Sequence, residues 1–174
     1  MDPFVELARL SIRHFVQLHS ALEEIPAGLA SALAGQRAAV FVSLHTRKGE
    51  LRGCMGTLWP VHDSVAQEIV QNAISACARD SRFPPVEEHE LADLEIGVDV
   101  LSEMEPTDRS GLDPRRYGVL VSVDDGRRGV LLPDLEGVDT VEQQVSIACR
   151  KAGIGRGEAL TLQRFTVQRH GKKG

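Results

Sequence analysis

Two helix-start motifs of the same pattern constrain the fold of this chain more than any other feature. Ser64-Val-Ala-Gln67 and Thr140-Val-Glu-Gln143 both have the spacing of a capping box, and they are offset by 76 residues (140 minus 64). Each follows two β-rich segments that end in Leu-x-Pro, at 58–60 and 131–133. This arrangement predicts a hairpin, a helix and a returning strand that occur twice by duplication, at about 38–101 and 117–168. Independent occurrence of the same capping chemistry is the alternative.

Periodicity and turn signals supply the remaining predicted secondary structure. Helices are predicted at about 3–23, 29–33, 64–79, 86–91 and 140–152, and strands at about 39–46, 51–58, 94–100, 117–123, 129–132 and 162–168. The segment 105–116, which contains two prolines and a glycine, is predicted to be a loop. These elements predict an α+β fold with a mainly antiparallel sheet and flanking helices, as one domain over 1–170 with a disordered tail at 171–174.

Charge and composition exclude several classes of protein. The net charge is −5, whereas a non-specific nucleic-acid binder needs excess positive charge to neutralise phosphates. No apolar run approaches the length of a bilayer span, and the acidic N-terminus lacks the apolar segment of a secretory signal. The cysteines number 3, an odd count that argues against a disulfide framework and favours a reducing compartment such as the cytoplasm.

The charges are unevenly distributed along the chain. Residues 1–113 carry 9 basic and 18 acidic side chains, a net of −9, and residues 114–174 carry a net of +4. The segment Phe83–Asp108 is rich in Glu and Asp and contains no Lys or Arg. A solvated acidic face is one interpretation of this segment, and a surface that docks a partner is the other.

The first predicted hairpin has two chemically different faces. With Lys48-Gly49 as the two central turn residues, the strands pair in a single antiparallel register. The pairs are Arg52 with His45, Cys54 with Ser43, and Gly56 with Phe41. One face is then apolar and is predicted to pack on the helices, because side chains alternate along a strand. The other face carries a cation, an imidazole, a hydroxyl and a thiol.

Glycines flank the cysteine on the polar face of this hairpin. Glycine within a strand often marks the close approach of backbone or of a ligand. Gly53 and Gly56, together with the facing Ser43 and His45, are therefore candidate binding residues around Cys54.

Cys54 and Arg52 are the candidate catalytic residues. They lie two positions apart on one strand face, where a guanidinium would favour the thiolate over the thiol. A small buried side chain is the alternative interpretation of Cys54, and a nucleophile–base pair with His45 is a further one. Cys77 and Cys149 lie among apolar helix positions, so we predict that both belong to the core.

The segment Arg79-Asp80-Ser81-Arg82, at the end of a predicted helix, is the second candidate region. Asp80 and Arg82 are candidate residues at the rim of an anion site, and a charge cluster that complements the helix dipole is the alternative. The sequence contains no metal-ligand spacing, no phosphate-binding loop and no dinucleotide fingerprint. We therefore predict no metal and no cofactor.

Four sequence blocks occur in an order that is characteristic of a known family. They are Leu51-Arg-Gly-Cys-Met-Gly56, Arg79-Asp-Ser-Arg-Phe-Pro-Pro85, Gly129-Val-Leu-Leu-Pro133 and Cys149-Arg-Lys-Ala-Gly153. With shorter matches between them, over about 41–167, they resemble the AMMECR-type domain family, also known as protein A of the AmmeMemoRadiSam system. The chain departs from the usual family pattern at four places: Met55, Ser81, Asp134 and the segment Gly153–Glu158.

The resemblance implies a fold and a cellular context but no reaction. It implies a compact α+β fold with repeated β-rich units packed by helices, in an intracellular protein. Members of the family are often encoded near, or fused to, a Memo-like protein and a radical SAM protein. The resemblance therefore implies that these two proteins are partners in a shared pathway.

Two hypotheses for the function follow from these observations. In the first, the protein has a small-molecule or modification site in which Cys54 is a nucleophile or covalent acceptor and Arg52 orients a small anionic ligand. In the second, it is a non-catalytic module that docks a Memo-like or radical SAM partner through Phe83–Asp108, with the Leu51–Gly56 motif structural. Nucleic-acid binding by the basic C-terminal half is the least expected function, because the whole chain is acidic.

Overall fold

The computed structural model of the chain describes residues 1–171, which form two compact units. The first unit comprises Met1–Leu101 together with the chain from Gln168 onwards, and the second comprises Ser102–Val167. Most of the predicted disordered tail, 172–174, lies outside the described residues, whereas Gly171 is the last residue of a strand. A single domain over 1–170 stays a prediction.

The part of the chain that the structure describes forms four α-helices and eight strands. In chain order they are α1 (Pro3–Leu18), α2 (Ala27–Ala32), β1 (Val40–His45), β2 (Leu51–Gly56), α3 (Val65–Ala78), β3 (Glu95–Leu101), β4 (Glu105–Thr107), β5 (Gly118–Ser122), β6 (Arg128–Leu131), α4 (Val141–Ala152), β7 (Thr161–Phe165) and β8 (Val167–Gly171). Short 3₁₀ helices form at Glu88–Asp93 and Arg109–Gly111.

The strands form two four-stranded sheets with related strand orders. One sheet has the order β2-β1-β3-β8 and the other β4-β7-β5-β6. In each sheet the first strand of a hairpin lies between the second hairpin strand and the strand that returns after the helix, and it is antiparallel to both. The predicted α+β fold with repeated hairpin, helix and strand units is therefore confirmed. The bounds of an internal duplication stay a prediction.

α1 and α3 of the first unit pack on its sheet. α1 begins after Asp2, whose carboxylate accepts the N–H of Phe4 at 2.9 Å. α3 packs against α1 and against both strands of the first hairpin. The resulting core is aliphatic, as expected from a chain with only 4% aromatic residues. Its fully buried members include Val40, Val42, Leu44, Ile69 and Ile74.

The second unit has a smaller core around α4. The capping box that precedes α4 forms in both directions, because the Thr140 hydroxyl accepts the N–H of Gln143 at 3.1 Å and the Gln143 amide oxygen accepts the N–H of Thr140 at 3.0 Å. The helix ends at Gly153, which has the left-handed φ of 69°. One side of α4 packs on β5 and β6.

Three predicted elements differ from the structure. α1 ends at Leu18 rather than at about 23, because His19 takes a left-handed conformation with φ 55°. The predicted loop 105–116 contains β4, in which Pro106 is tolerated because β4 lies at a sheet edge. The predicted strand 162–168 divides at Thr166 into β7 and β8, which belong to different sheets.

Candidate functional site

The hairpin β1–β2 has the predicted register around Cys54 but not at Arg52. Ser43 pairs with Cys54, as predicted. The register then shifts between Leu44 and His45, so that His45 pairs with Leu51 and the predicted pair of Arg52 with His45 is wrong. The shift leaves Arg52 as the extra residue of a β-bulge, a feature that redirects a side chain.

The turn of this hairpin explains the shift in register. The Thr46 carbonyl accepts the N–H of Gly49 at 2.9 Å, and the Thr46 N–H donates to the Glu50 carbonyl at 2.9 Å. The loop therefore consists of Arg47, Lys48 and Gly49, with Gly49 in the left-handed region at φ 84°. A loop of this length places the strands one residue out of the register that a two-residue turn gives, and the bulge compensates for the difference.

The two glycines that flank Cys54 allow close approach of protein atoms. A Cβ on Gly53 would lie 2.2 Å from the carbonyl oxygen of Ala76 in α3. A Cβ on Gly56 would lie 2.4 Å from Cγ of the Phe41 ring, which packs across the cysteine face. Both positions thus have a structural reason to be glycine, and a binding role for them stays a prediction.

The peptide groups of Cys54 are bound from outside the sheet. β2 is an edge strand, and the Cys54 N–H donates to Asp80 Oδ2 at 3.0 Å. The Cys54 carbonyl accepts from Arg82 Nη2 at 3.3 Å. Asp80 and Arg82 also form an ion pair with Nη2–Oδ2 and Nε–Oδ1 distances of 2.7 and 3.0 Å. This pair closes the edge of the sheet at the half-buried Cys54.

The electrostatics of the site link Arg82 to the thiol. The hydrogen bonds from Arg82 hold the pKa of the buried Asp80 well below its ordinary value, although burial opposes this shift. The pKa of Arg82 is raised, chiefly by Asp80, and the charge of a Cys54 thiolate contributes to the same shift. The interaction is mutual, so the guanidinium of Arg82 favours a thiolate at Cys54. Because the Arg82 side chain is 56% exposed, water screens this attraction.

The side chain of Arg52 binds the chain segment that follows α3. Its side chain is 12% exposed and forms a bidentate ion pair with Glu90, at 2.7 and 3.0 Å. It also donates to the carbonyl oxygens of Pro84 at 2.9 Å and Pro85 at 3.3 Å. The pKa of Glu90 is lowered, mainly by this contact with Arg52. Arg52 therefore attaches the chain after α3 to the Cys54 strand.

The structure brings most of the predicted site residues together. Ser43 lies directly across from Cys54, and both Ser43 and His45 are buried, at 3% and 8% exposure. The segment 79–85 folds back onto β2, so that the two most distinctive sequence blocks form one site. His45 pairs with Glu95 of β3 on its other side, two residues along β1 from the serine.

The sequence did not predict two buried carboxylates in the first unit. Glu68 in α3 is 1% exposed and accepts the N–H groups of Val61 and His62, the latter at 2.6 Å. Asp99 in β3 is 3% exposed and pairs with Arg169 at 3.2 Å. Strand alternation assigns Asp99 to the polar face of β3, and Glu68 lies off the predicted apolar stripe of its helix, so the periodicity carried no signal for the burial of either residue.

The other two cysteines differ in burial. Cys77 is buried in α3, as predicted, and burial raises the pKa of its thiol to about 11. Cys149 is only partly buried, but it packs against the hydrophobic core of the second unit, and burial raises the pKa of its thiol too. It lines an open groove of about 1330 Å³ on the outer side of α4 in the second unit.

The acidic segment Phe83–Asp108 is partly neutralised by arginines from elsewhere in the chain. Four carboxylates form ion pairs: Glu90 with Arg52, Asp93 with Arg47, Asp99 with Arg169, and Glu105 with Arg164. The segment is therefore not a uniformly solvated acidic face.

Residues 1–171 contain neither a membrane-spanning helix nor a metal-binding cluster. No helix there is both long enough and apolar enough to cross a bilayer. The same residues contain no cluster of three or more His, Cys, Asp or Glu side chains that could hold a metal ion.

Comparisons with known proteins give a consistent result. A sequence model of the AMMECR1 family matches residues 5–170. Protein CA_C1420 of Clostridium acetobutylicum is 47% identical over 170 residues, which cover 97% of this chain but 36% of that longer protein. A protein of Thermotoga maritima is 46% identical over 170 residues, which cover 97% of both chains. The crystal structure of the uncharacterized protein PH0010 from Pyrococcus horikoshii matches 95% of this chain and 88% of its own, with 27% identity and a TM-score of 0.85.

Proposed function

The chain belongs to the AMMECR1 family, and we propose that it is a cytoplasmic protein that binds a small anionic molecule at Cys54, whose thiol is the nucleophile or covalent acceptor. The observation that carries the proposal is the position of Arg82. Its guanidinium binds the Cys54 carbonyl at 3.3 Å, is held by Asp80, and keeps 56% of its side-chain surface exposed to solvent. An anionic group that meets this guanidinium is brought beside the thiol.

The roles of the two arginines differ in this proposal. Arg82 attracts the anionic group of the ligand and favours the thiolate, so it takes the part that the sequence suggested for Arg52. Arg52 is a positioning residue, because its contacts with Glu90 and two proline carbonyls hold the segment that carries Asp80 and Arg82. Ser43, directly opposite Cys54, offers a hydroxyl to the same face of the sheet.

The proposal is tested by alkylating the native protein with two reagents of different charge. Iodoacetate is anionic and iodoacetamide is neutral, so the ratio of their rates at Cys54 reports attraction by a nearby cation. We expect Arg82→Gln to lower this ratio by roughly three- to fivefold, the effect of one partly screened charge. Arg82→Lys is expected to preserve most of the ratio. Peptide mass spectrometry assigns each rate to its cysteine.

The matched control is Arg79→Gln, which removes the same charge from the same segment. We expect it to leave the ratio at Cys54 unchanged. An Arg82→Gln ratio that equals the Arg79→Gln ratio, or a Cys54 that neither reagent labels in the native protein, would contradict the proposal.

A non-catalytic interaction module is the second candidate function, and one observation favours it. Trp59 and Val61 are 44% and 67% exposed in the loop after β2. The buried Glu68 binds the N–H groups of Val61 and His62, so this loop presents its apolar side chains in a fixed geometry. Rigid exposed aromatic residues are typical anchors of protein interfaces. The proposed partner is a Memo-like or radical SAM protein.

Co-purification with a co-expressed Memo-like or radical SAM partner separates the two functions. A complex that survives Cys54→Ala and is lost on Trp59→Ser supports the interaction module. A complex that is lost on Cys54→Ala but still forms with the Trp59→Ser variant supports the cysteine site.

A further inference from the structure

The second unit contains a groove that neither proposed function uses. It lies between the outer side of α4 and the glycine-rich segment 153–160, and Arg109 of a 3₁₀ helix completes its wall. Its volume of about 1330 Å³ exceeds the usual range of about 300–1,000 Å³ for small-molecule sites. The groove also borders Cys149-Arg-Lys-Ala-Gly153, a block for which the Cys54 site offers no role.

The charges in this groove are predominantly positive. Arg109, Arg150 and Arg156 line it, and none of the three forms an ion pair within residues 1–171. Of the two acidic residues in the lining, Glu158 already forms a bidentate pair with Arg127. Glu142 is the other.

Cys149 lines this groove together with charged residues from two separate segments of the chain. Burial raises the pKa of the Cys149 thiol most, Arg109 lowers it, and Glu158 raises it further. Both charged groups line the groove with the partly buried Cys149, although one follows β4 and the other follows α4 in the chain.

The glycine-rich wall of the groove is fixed before any ligand binds. Arg127 donates to the Gly153 carbonyl at 2.6 Å and pairs with Glu158. The Glu158 carboxylate in turn accepts the N–H of Gly155 at 2.6 Å. These bonds hold the segment that carries Arg156 in one conformation, which reduces the entropy that binding would otherwise lose.

We propose that this groove binds a small molecule with two or more anionic groups, phosphate or carboxylate. Guanidinium groups bind both kinds of group through paired hydrogen bonds, and three unpaired arginines around one groove suit a ligand with more than one charge. A long polyanion such as RNA is disfavoured by the net charge of −5. The proposal does not depend on Cys54.

Isothermal titration calorimetry with pyrophosphate and with citrate tests the proposal and separates phosphate from carboxylate ligands. We expect one of the two probes to bind the wild-type protein, and the double variant Arg109→Gln/Arg156→Gln to bind it at least about tenfold more weakly. The matched control is Arg13→Gln, an exposed arginine on α1, which we expect to bind like the wild type. Equal affinity in the double variant and the control overturns the proposal, as does the absence of binding by both probes.

Protection of cysteines from N-ethylmaleimide locates the bound anion. Pyrophosphate or citrate in the groove is expected to slow the labelling of Cys149 at least about fivefold, whether or not the labelling of Cys54 also slows. Protection of Cys54 alone overturns the groove proposal and supports an anion beside Arg82 instead. Tight binding of an RNA oligonucleotide that pyrophosphate and citrate do not displace also overturns it.

Discussion

Gly53→Ala tests the interpretation of the glycine beside Cys54 as a packing requirement. The added Cβ would lie 2.2 Å from the carbonyl oxygen of Ala76 and 3.2 Å from its carbonyl carbon. An ordinary contact begins at about 3.4 Å, so α3 and β2 must separate by about 1 Å at this point. Both partners are backbone in regular elements, and a packed interior does not absorb such a shift without loss of contacts.

The expected cost follows from this geometry. Overpacking a core typically costs about 1–3 kcal/mol, and a clash with main-chain atoms belongs at the upper end of that range. Alanine also lowers the conformational entropy of the unfolded chain, which offsets about 0.5–1 kcal/mol of this cost. We therefore expect Gly53→Ala to lower the free energy of unfolding by about 2 kcal/mol. For a chain of this length that corresponds to a fall in Tm of about 4–8 °C.

Chemical denaturation and thermal melts measure this effect against two further variants. Gly28→Ala is the matched control, because a Cβ there meets nothing within 4 Å and the residue lies in a helix. It should raise stability by about 0.5–1 kcal/mol. Gly129→Ala places a Cβ 2.1 Å from the Ala148 oxygen, so it should resemble Gly53→Ala. If the free energy of unfolding of Gly53→Ala lies within about 0.5 kcal/mol of the wild-type value in the same titration, the packing interpretation is refuted.

Three other substitutions test the buried charges. Asp80→Asn should lower the free energy of unfolding at pH 7 by about 1–3 kcal/mol. Because Arg82 depresses the pKa of Asp80 in the folded protein, this deficit should shrink as the pH falls below about 4. Urea titrations over a pH series measure it. Arg169→Met leaves Asp99 unpaired and should cost about 3 kcal/mol at pH 7. Burial raises the pKa of Asp99, so acidification that protonates it should recover part of that loss. Glu68→Ala should cost about 3 kcal/mol and increase hydrogen exchange of the amides at 61 and 62. A pH-independent deficit for Asp80→Asn or Arg169→Met, or unchanged exchange for Glu68→Ala, would contradict these assignments.

The sequence predicted the faces of the Cys54 hairpin because alternation is a local property. Val40, Val42 and Leu44 occupy alternate positions of β1, and only one register buries them together. The turn was less determined, since Arg47-Lys48-Gly49 suits both a two-residue and a three-residue loop. The wrong choice displaced Arg52 from its true position at a bulge.

The contacts that complete the site could not be predicted from spacing. Asp80 reaches the N–H of Cys54 across 26 residues, and Arg52 reaches Glu90 across 38. Contacts of this kind depend on where α3 ends and on how the chain after it folds back, which tertiary packing decides. The sequence marked both segments as unusual, but it carried no signal that Arg52 would bind Glu90 or that Arg82 would bind the Cys54 carbonyl.

The most direct test of the Cys54 site is the pH dependence of alkylation at the three cysteines of the native protein. The account predicts that Cys54 reacts roughly tenfold faster than Cys149 at pH 7, and that Cys77, whose thiol pKa is raised to about 11, reacts only at high pH or after unfolding. It also predicts that the alkylation rate of Cys54 rises at lower pH than that of Cys149. Arg82→Gln should shift the Cys54 profile to higher pH, towards the Cys149 profile. A Cys54 as inert as Cys77, or a profile that Arg82→Gln leaves unchanged, would contradict the account.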